Sequence, residues 1–179
     1  MIAVDAARLD RLPTGEFVAA MAPLFEGAPR FLARLAAERP FGSAERLFER
    51  AREIALAMPE DEQRELIDAH PRLGAPPGSL SALSFVEQGY DREAAGAAAE
   101  AERERVAAEL AQLNEAYERR FGFRYCVFVA GRPAASLLPG LESALLADAD
   151  EERRRALGDV VAIARARYGS LGEARSRRE

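Results

Sequence analysis

Apolar residues in this sequence recur three or four positions apart, the spacing that places them on one face of a helix. Three such stripes are Phe17, Met21, Leu24 and Phe25; Leu47, Ile54 and Met58; and Val106, Leu110, Leu113 and Tyr117. At 179 residues the chain has the length of one ordinary domain. The pattern therefore predicts an all-α protein, a multi-helix bundle that forms a single domain over residues 1–179.

Proline and serine residues mark the ends of the first helices. Pro23 should kink or end the first one, because proline cannot donate the backbone hydrogen bond that a helix interior needs. Pro29 suits the first turn of a second helix, which Pro40 stops. Ser43 is a typical N-cap for a third helix that runs through Met58.

A short acidic helix leads to the one histidine of the chain. It begins at Pro59 and the run Glu60-Asp61-Glu62, whose negative charge suits the positive end of a helix dipole. It must end near His70, because Pro71 disfavours helical geometry in the residue before it. A loop rich in glycine and proline is predicted over residues 74–78.

The second half of the chain is also mainly helical. A helix starts at residue 84, breaks near Gly89 and continues to about residue 120. Residues 124–129 (RYCVFV) cluster β-branched and aromatic side chains without helical spacing, which predicts one short extended segment. Further helices are predicted over residues 133–147, kinked at Pro139, and over residues 151–168. The arginine-rich tail over residues 172–179 is expected to fray.

The composition excludes several kinds of chemistry. All 25 basic residues are arginine, so the chain lacks the lysine that a Schiff base or a phosphate-binding P-loop requires. One histidine and one cysteine are too few for an ordinary zinc site, and a single cysteine cannot form an internal disulfide. A magnesium site made of carboxylates stays open, although no pattern indicates one.

Charge and hydropathy indicate a soluble protein. The net charge of −5 comes from acidic and basic residues mixed along the chain, which argues against a nucleic-acid or membrane surface. No run of apolar residues approaches the ~18 that a membrane span needs. A lone cysteine without a signal peptide fits a reducing compartment, so we expect a cytoplasmic protein.

His70 is the first candidate for chemistry, because it is the one side chain whose ordinary pKa lies near neutrality. At the end of a helix its imidazolium would be stabilised by roughly 0.3–1 kcal/mol. A purely local role in ending the helix explains the position equally well.

The run Ser84-Phe85-Val86-Glu87-Gln88 is the second candidate. Ser84 and Glu87 match a capping box, in which a hydroxyl and a carboxylate each satisfy a backbone amide at a helix start. Periodicity therefore favours a structural role for Glu87. A site is also compatible with this position, because a carboxylate there would stay anionic and amides at a helix N-terminus bind polar ligands.

The extended segment, Tyr125 to Val129, is the third candidate. An unpaired strand exposes N–H and C=O groups that could bind a flat ligand rich in amides, whereas a buried core segment is the alternative. Cys126 fits a small buried hydrophobe better than a nucleophile, since only His70 could activate it. Arg165 and Arg167 in the last predicted helix are each a weak signal alone.

Several short motifs follow one another along residues 17–168. They are Pro23-Leu24-Phe25-Glu26-Gly27-Ala28-Pro29, Arg39-Pro40-Phe41, Ala69-His70-Pro71-Arg72-Leu73-Gly74, Ser84-Phe85-Val86-Glu87-Gln88, Leu113-Asn114-Glu115-Ala116-Tyr117 with Phe121-Gly122-Phe123, and Ile163-Ala164-Arg165-Ala166-Arg167. Each is weak alone, but together they resemble the 2-oxo-4-hydroxy-4-carboxy-5-ureidoimidazoline (OHCU) decarboxylase family. That family forms (S)-allantoin at the end of the route from urate.

The resemblance implies an all-helical, commonly homodimeric enzyme that needs neither a metal nor an organic cofactor. It makes His70 the proton donor and Glu87 the second catalytic group, with OHCU as substrate and allantoin as product. The substrate-binding positions that it implies are Pro71, Ser84, Phe85, Val86, Gln88, Tyr125, Cys126, Val127, Phe128, Val129 and Arg167, with Arg165 in reserve.

Three departures from the commonest family pattern concern substrate preference. Arg124 stands where proline is frequent, the loop after His70 is short and rich in proline, and Gly89-Tyr90-Asp91 follows Gln88 where small residues are usual. Two other functions stay open. One is a non-catalytic helical module that keeps the fold to bind a ligand or a partner, and the other is a decarboxylase of a related ureido compound.

Overall fold

The computed structural model describes residues 5–89 and 97–176, and these contain helices, turns and loops but no β-strand. The helices are α1 Ala6–Leu9, α2 Thr14–Met21, α3 Pro29–Ala37, α4 Ala44–Ala57, α5 Glu60–Asp68, α6 Ala82–Glu87, α7 Ala97–Phe121, α8 Leu138–Ala144 and α9 Ala149–Ser176. Short 3-10 turns cover Ala22–Leu24, Pro77–Ser79 and Ala134–Leu137. The predicted all-α class is confirmed. None of these helices is long and apolar enough to cross a membrane.

Contacts divide the chain into two compact units. The first consists of the described parts of Met1–His70 and Leu157–Glu179, and the second of those of Pro71–Ala156. The first unit thus holds α1 to α5 and most of α9, and the second holds α6 to α8 and the start of α9. The single domain expected from the sequence stays a prediction.

Helix α3 lies at the centre of the first unit, where it contacts α2, α4 and α5. Its buried side chains include Phe31, Leu32 and Leu35, which share one helix face. Burying each of these side chains contributes roughly 1.5–3 kcal/mol. On the solvent side, Arg34 pairs with Glu62 of α5 at 2.6 Å.

Helix ends in the first unit lie where the sequence predicts them. Helix α2 ends before Pro23, and a 3-10 turn carries the chain through this proline. Pro29 begins α3, and the Ser43 hydroxyl accepts a hydrogen bond of 3.1 Å from a backbone N–H in the first turn of α4. Helix α5 ends two residues before His70. These local signals are confirmed.

The long helix α7 supplies much of the core of the second unit. Its buried side chains Leu110 and Tyr117 belong to the predicted apolar stripe. The Tyr117 ring lies 4.6 Å from that of Phe121, 5.7 Å from that of Phe123 and 5.1 Å from that of Tyr125, measured between centroids. Residues 124–129, which include Tyr125, form neither a helix nor a paired strand in the described part of the chain, as predicted.

Two predicted boundaries in the second half of the chain are wrong. Pro139 does not kink a helix over residues 133–147. It lies in the first turn of α8, where its missing N–H breaks no hydrogen bond. Helix α9 also begins earlier than residue 151, because an Asp148 carboxylate oxygen accepts the backbone N–H groups of Asp150 and Glu151 at 2.9 and 3.1 Å. This helix continues to Ser176, well beyond the predicted end at residue 168.

Candidate active site

His70 is buried in the first unit, with 3% of its surface exposed. Its Nδ1 atom lies 3.4 Å from the Leu66 carbonyl oxygen, one turn earlier. Burial, and after it the positive charge of Arg167, lower the pKa of His70 to about 4, although Glu26 and the Leu66 carbonyl oppose this shift. The imidazole is therefore neutral at pH 7 and can accept a proton.

Arg167 lies in the same unit and is 5% exposed. Its Nη1 atom is 2.9 Å from a Glu26 carboxylate oxygen and donates to the carbonyl oxygens of Pro23 and Leu24 at 3.2 and 3.4 Å. Arg165, by contrast, is exposed to solvent. Of the two arginines considered from the sequence, Arg167 is thus the one whose charge reaches His70.

In the second unit, two side-chain amides hold the loop that follows His70. The Gln88 amide oxygen accepts the Gly74 N–H at 2.9 Å, and its NH2 group donates to the Arg72 carbonyl at 3.2 Å. The buried Asn114 of α7 donates to the Leu73 carbonyl at 2.9 Å. The Gln88 amide therefore serves the loop in this structure, and its predicted contact with ligand stays a prediction.

The predicted capping box of Ser84 and Glu87 is wrong. Helix α6 begins three residues earlier than a Ser84 cap would allow, because Ser81 has the extended backbone of an N-cap and its hydroxyl accepts the Ser84 N–H at 3.2 Å. Ser84 is buried inside this helix, and Glu87 is its last residue. The Glu87 carboxylate consequently lies at the negative end of the α6 dipole, so the helix N-terminus does not stabilise its charge.

Phe85 and Val86 occupy different environments on α6. Phe85 is half-buried, whereas Val86 exposes 51% of its surface. Pro71, in the loop after His70, is half-buried. Roles for these three residues in binding substrate stay predictions.

The extended segment is held by arginines through its backbone carbonyls. Arg155 donates to the Cys126 carbonyl at 3.0 Å, and its guanidinium lies 5.0 Å from the centre of the Tyr125 ring. Arg132 donates to the carbonyls of Phe128 and Val129 at 2.6 and 3.0 Å. The Cys126 side chain is buried, as expected for a small hydrophobe.

A buried polar network supports this segment from α7 and α9. The Tyr117 hydroxyl donates to Glu152 at 2.6 Å, and Arg155 pairs with the same carboxylate at 2.6 Å. Burial, followed by the hydrogen bond to Glu152, raises the pKa of Tyr117 above its ordinary value. These contacts fix Arg155, which donates to the Cys126 carbonyl.

The side chains of residues 125–129 differ in burial, without a regular alternation along the segment. Tyr125, Cys126 and Val129 are buried, and Val127 and Phe128 are half-buried. None of these five side chains is exposed, which agrees with the buried-core alternative considered from the sequence. Its predicted contact with a ligand is not tested by this packing.

The described side chains can support proton transfer and anion binding. They include a neutral imidazole at His70, a carboxylate at Glu87 and a buried guanidinium at Arg167. Within residues 5–89 and 97–176, no group of three or more His, Cys, Asp or Glu side chains is placed to hold a metal ion.

Sequence reasoning missed three polar residues that shape these surroundings. Glu26 is the one charged residue in the motif of residues 23–29, and Asn114 is a polar residue on the apolar stripe of α7. Each is therefore an exception in its local pattern, which is a usable signal. No local pattern marks Arg155 among its neighbouring arginines.

Comparison with known proteins identifies the family. The OHCU decarboxylase family model matches residues 10–169. A uric acid degradation bifunctional protein of Bacillus subtilis is 30% identical over 91% of this chain, which spans 32% of that longer protein. The 2-oxo-4-hydroxy-4-carboxy-5-ureidoimidazoline decarboxylase of Mus musculus is 29% identical, with 94% of this chain and 93% of the mouse protein aligned.

A solved structure shares the fold. The crystal structure of an OHCU decarboxylase in the presence of (S)-allantoin superposes with a TM-score of 0.62 at 22% identity. The superposition covers 85% of this chain and 96% of that one. With the match of the family model, these similarities show that this chain belongs to the OHCU decarboxylase family.

Proposed function

We propose that this protein decarboxylates OHCU to (S)-allantoin in the breakdown of urate, without a metal or an organic cofactor. Family membership over residues 10–169 supports the reaction. The observation that carries the proposal is the buried, neutral His70, which lies at the His-Pro position of the family and within the electrostatic reach of Arg167.

The substrate supplies the electron sink that such a reaction needs. OHCU carries its carboxylate on a carbon that also bears a hydroxyl and adjoins a C=N bond. When carbon dioxide leaves, the electron pair of the broken C–C bond passes into this C=N bond, and the ring nitrogen takes up a proton. The hydroxyl then loses its proton while the neighbouring carbon gains one, which gives allantoin.

His70 is suited to the second of these proton transfers. With a pKa of about 4, its imidazole is neutral before reaction and acts first as a base toward the substrate hydroxyl. The imidazolium formed in this way becomes the proton donor to the neighbouring carbon. Delivery from one face of the ring would give a single enantiomer.

The remaining roles concern binding and orientation. Arg167 contacts the ligand, and its burial, compared with the exposure of Arg165, supports this choice. Glu87 is the second catalytic group, while Ser84 and Gln88 hold the ligand and the backbone of residues 125–129 lines its site. These assignments rest on matching positions in the family motifs. Gln88 also orders the loop after His70 through its two hydrogen bonds.

Acid–base catalysis by positioned groups typically contributes ~10²–10⁴-fold, or about 3–5 kcal/mol of barrier. The test is circular dichroism during the breakdown of freshly made OHCU, because the spontaneous reaction gives racemic allantoin. We expect the protein to accelerate the appearance of a dichroic signal of one sign. A racemic product formed at the spontaneous rate would reject the proposed function.

The family resemblance also supports a homodimer in the cytoplasm. Light scattering of the purified protein tests the dimer, which requires twice the 19.5 kDa mass of the chain. A monomeric mass would reject this part of the proposal without affecting the reaction.

A further inference from the structure

Glu26 is a half-buried acidic residue for which the proposed reaction has so far no role. Its side chain is 15% exposed, and its carboxylate lies 2.9 Å from Nη1 of Arg167. Arg167 itself is almost fully buried, so its charge requires a nearby counter-charge. Glu26 supplies that charge from a distant part of the sequence.

The backbone at Glu26 adopts a conformation that few residues with side chains take. Its φ is +50°, in the left-handed region, and Gly27 follows with a φ of +91°. A hydrogen bond of 2.9 Å from the Gly27 N–H to the Ala22 carbonyl closes this turn. A glutamate in the left-handed conformation is strained, and such outliers concentrate at functional sites. Here the outlier carries the partner of Arg167.

The turn holds Arg167 at one end of its guanidinium group. Nη1 contacts the Glu26 carboxylate and the carbonyl oxygens of Pro23 and Leu24. A guanidinium is planar, so contacts that fix Nη1 also fix the directions of the N–H groups on its other nitrogens. Rotation of the group would therefore break the contacts with the turn.

We propose that Glu26 is a positioning residue for the decarboxylation, and that it acts by orienting the Arg167 guanidinium for the substrate. This inference rests on the proposed function and deepens it, because it explains how a buried arginine is prepared to bind an anion. Glu26 also balances the effect of the arginine on His70, since the two side chains shift the pKa of that imidazole in opposite directions.

The first test is Glu26→Gln, which removes the charge but retains the shape. Glu62→Gln is a matched control, because Glu62 is 14% exposed and also pairs with an arginine of the first unit. We expect Glu26→Gln to lower kcat/KM for OHCU by about tenfold or more, since misplacement of about 1 Å can cost 10²-fold. Glu62→Gln should stay within about twofold of wild type.

Repeating the Glu26 substitution in an Arg167→Lys variant separates a positioning role of Glu26 from a general structural role. In Arg167→Lys, the planar group that Glu26 would orient is absent, so adding Glu26→Gln should change kcat/KM by less than about twofold. All assays are run well below the melting temperatures, with folding checked by circular dichroism. Equal losses in the wild-type and Arg167→Lys backgrounds would overturn the proposal, as would a Glu26→Gln protein with wild-type activity.

Glu26→Asp keeps the comparison decisive if Glu26→Gln does not fold. Aspartate retains the charge but is one methylene shorter, so its carboxylate cannot reach Nη1 with the same geometry. We expect Glu26→Asp to lower kcat/KM severalfold in the wild-type background and to leave it unchanged in the Arg167→Lys background. Wild-type activity of Glu26→Asp would contradict the requirement for orientation.

Nuclear magnetic resonance of His70 provides a readout that does not depend on activity. The chain has one histidine, so its ring signals can be followed without assignment of others. At pH about 4.5, Glu26→Gln should leave His70 less protonated than in wild type, whereas Glu62→Gln should not change it. Unchanged protonation in Glu26→Gln would reject the link from Glu26 to His70. If wild type fails to form (S)-allantoin, the proposed function fails, and this titration still decides that link.

Discussion

Acidification should destabilise this protein through His70 before other side chains take part. Its pKa is about 4 in the folded protein, compared with 6.5 for an ordinary histidine. The unfolded chain therefore binds the proton more readily. The stability that the neutral His70 contributes is fully present above pH ~6.5 and is lost as the pH falls toward 4. The two pKa values give a loss of about 1 kcal/mol at pH 5.5 and about 3 kcal/mol below pH 4.

The interval between pH about 8 and about 5.5 isolates this histidine. It is the only one in the chain, and acidic groups such as Asp61 and Glu62, whose pKa values are lowered by arginine partners, titrate below this interval. The assay is urea unfolding at both pH values for wild type and for His70→Asn. Asparagine has an amide in place of Nδ1 but does not titrate.

We expect wild type to lose about 1 kcal/mol of unfolding free energy, or ~2–4 °C in melting temperature, between the two pH values. His70→Asn should start from a lower stability but show no such loss, because its side chain stays neutral. Equal losses in the two proteins would mean that His70 has the same pKa in the folded and unfolded states, which contradicts the effect of burial.

Four further substitutions test the packing and hydrogen bonds that hold the fold around the candidate site. Gln88→Leu removes both hydrogen bonds to the loop after His70. It should lower the free energy of unfolding in urea by about 2 kcal/mol and should also lower kcat/KM. An unchanged stability would show that the loop does not depend on this amide. Gly74→Ala should also destabilise, because φ is +78° and the new Cβ would lie 2.9 Å from a leucine methyl. Gly158→Ala, in a helix with no atom within 4 Å of the new Cβ, should instead stabilise by about 0.5–1 kcal/mol, and thermal unfolding compares the two. Arg155→Met should lower the free energy of unfolding by about 3 kcal/mol, because the Glu152 carboxylate, which is 3% exposed, loses its guanidinium partner. A loss below about 1 kcal/mol in urea unfolding would contradict this.

The sequence predicted those parts of the fold that depend on neighbouring residues. Pro29 and Ser43 begin helices as expected, because the missing N–H of a proline and the hydroxyl of an N-cap act within one helical turn. The end of α5 before His70 follows in the same way from Pro71. The predicted start of α6 was wrong because Ser81 and Ser84 can both cap a helix. In the structure Ser81 is the N-cap, which lengthens the helix by about one turn.

The polar partners of the site could not be predicted in this way. Glu26 meets Arg167 across most of the length of the chain, and neither residue contains a local signal for the other. The choice between Arg165 and Arg167 likewise depends on burial, which single-sequence periodicity did not resolve. His70 was predicted as the candidate for proton transfer because it is the only histidine, but its low pKa results from burial and from the charge of Arg167.

The role of His70 in proton transfer is tested by comparing wild type with His70→Asn on freshly made OHCU, with circular dichroism recording the formation of each allantoin enantiomer. We expect wild type to produce (S)-allantoin and His70→Asn to be slower by ~10²–10⁴-fold while remaining folded. Formation of (S)-allantoin by His70→Asn at the wild-type rate would contradict the role of His70 in proton transfer.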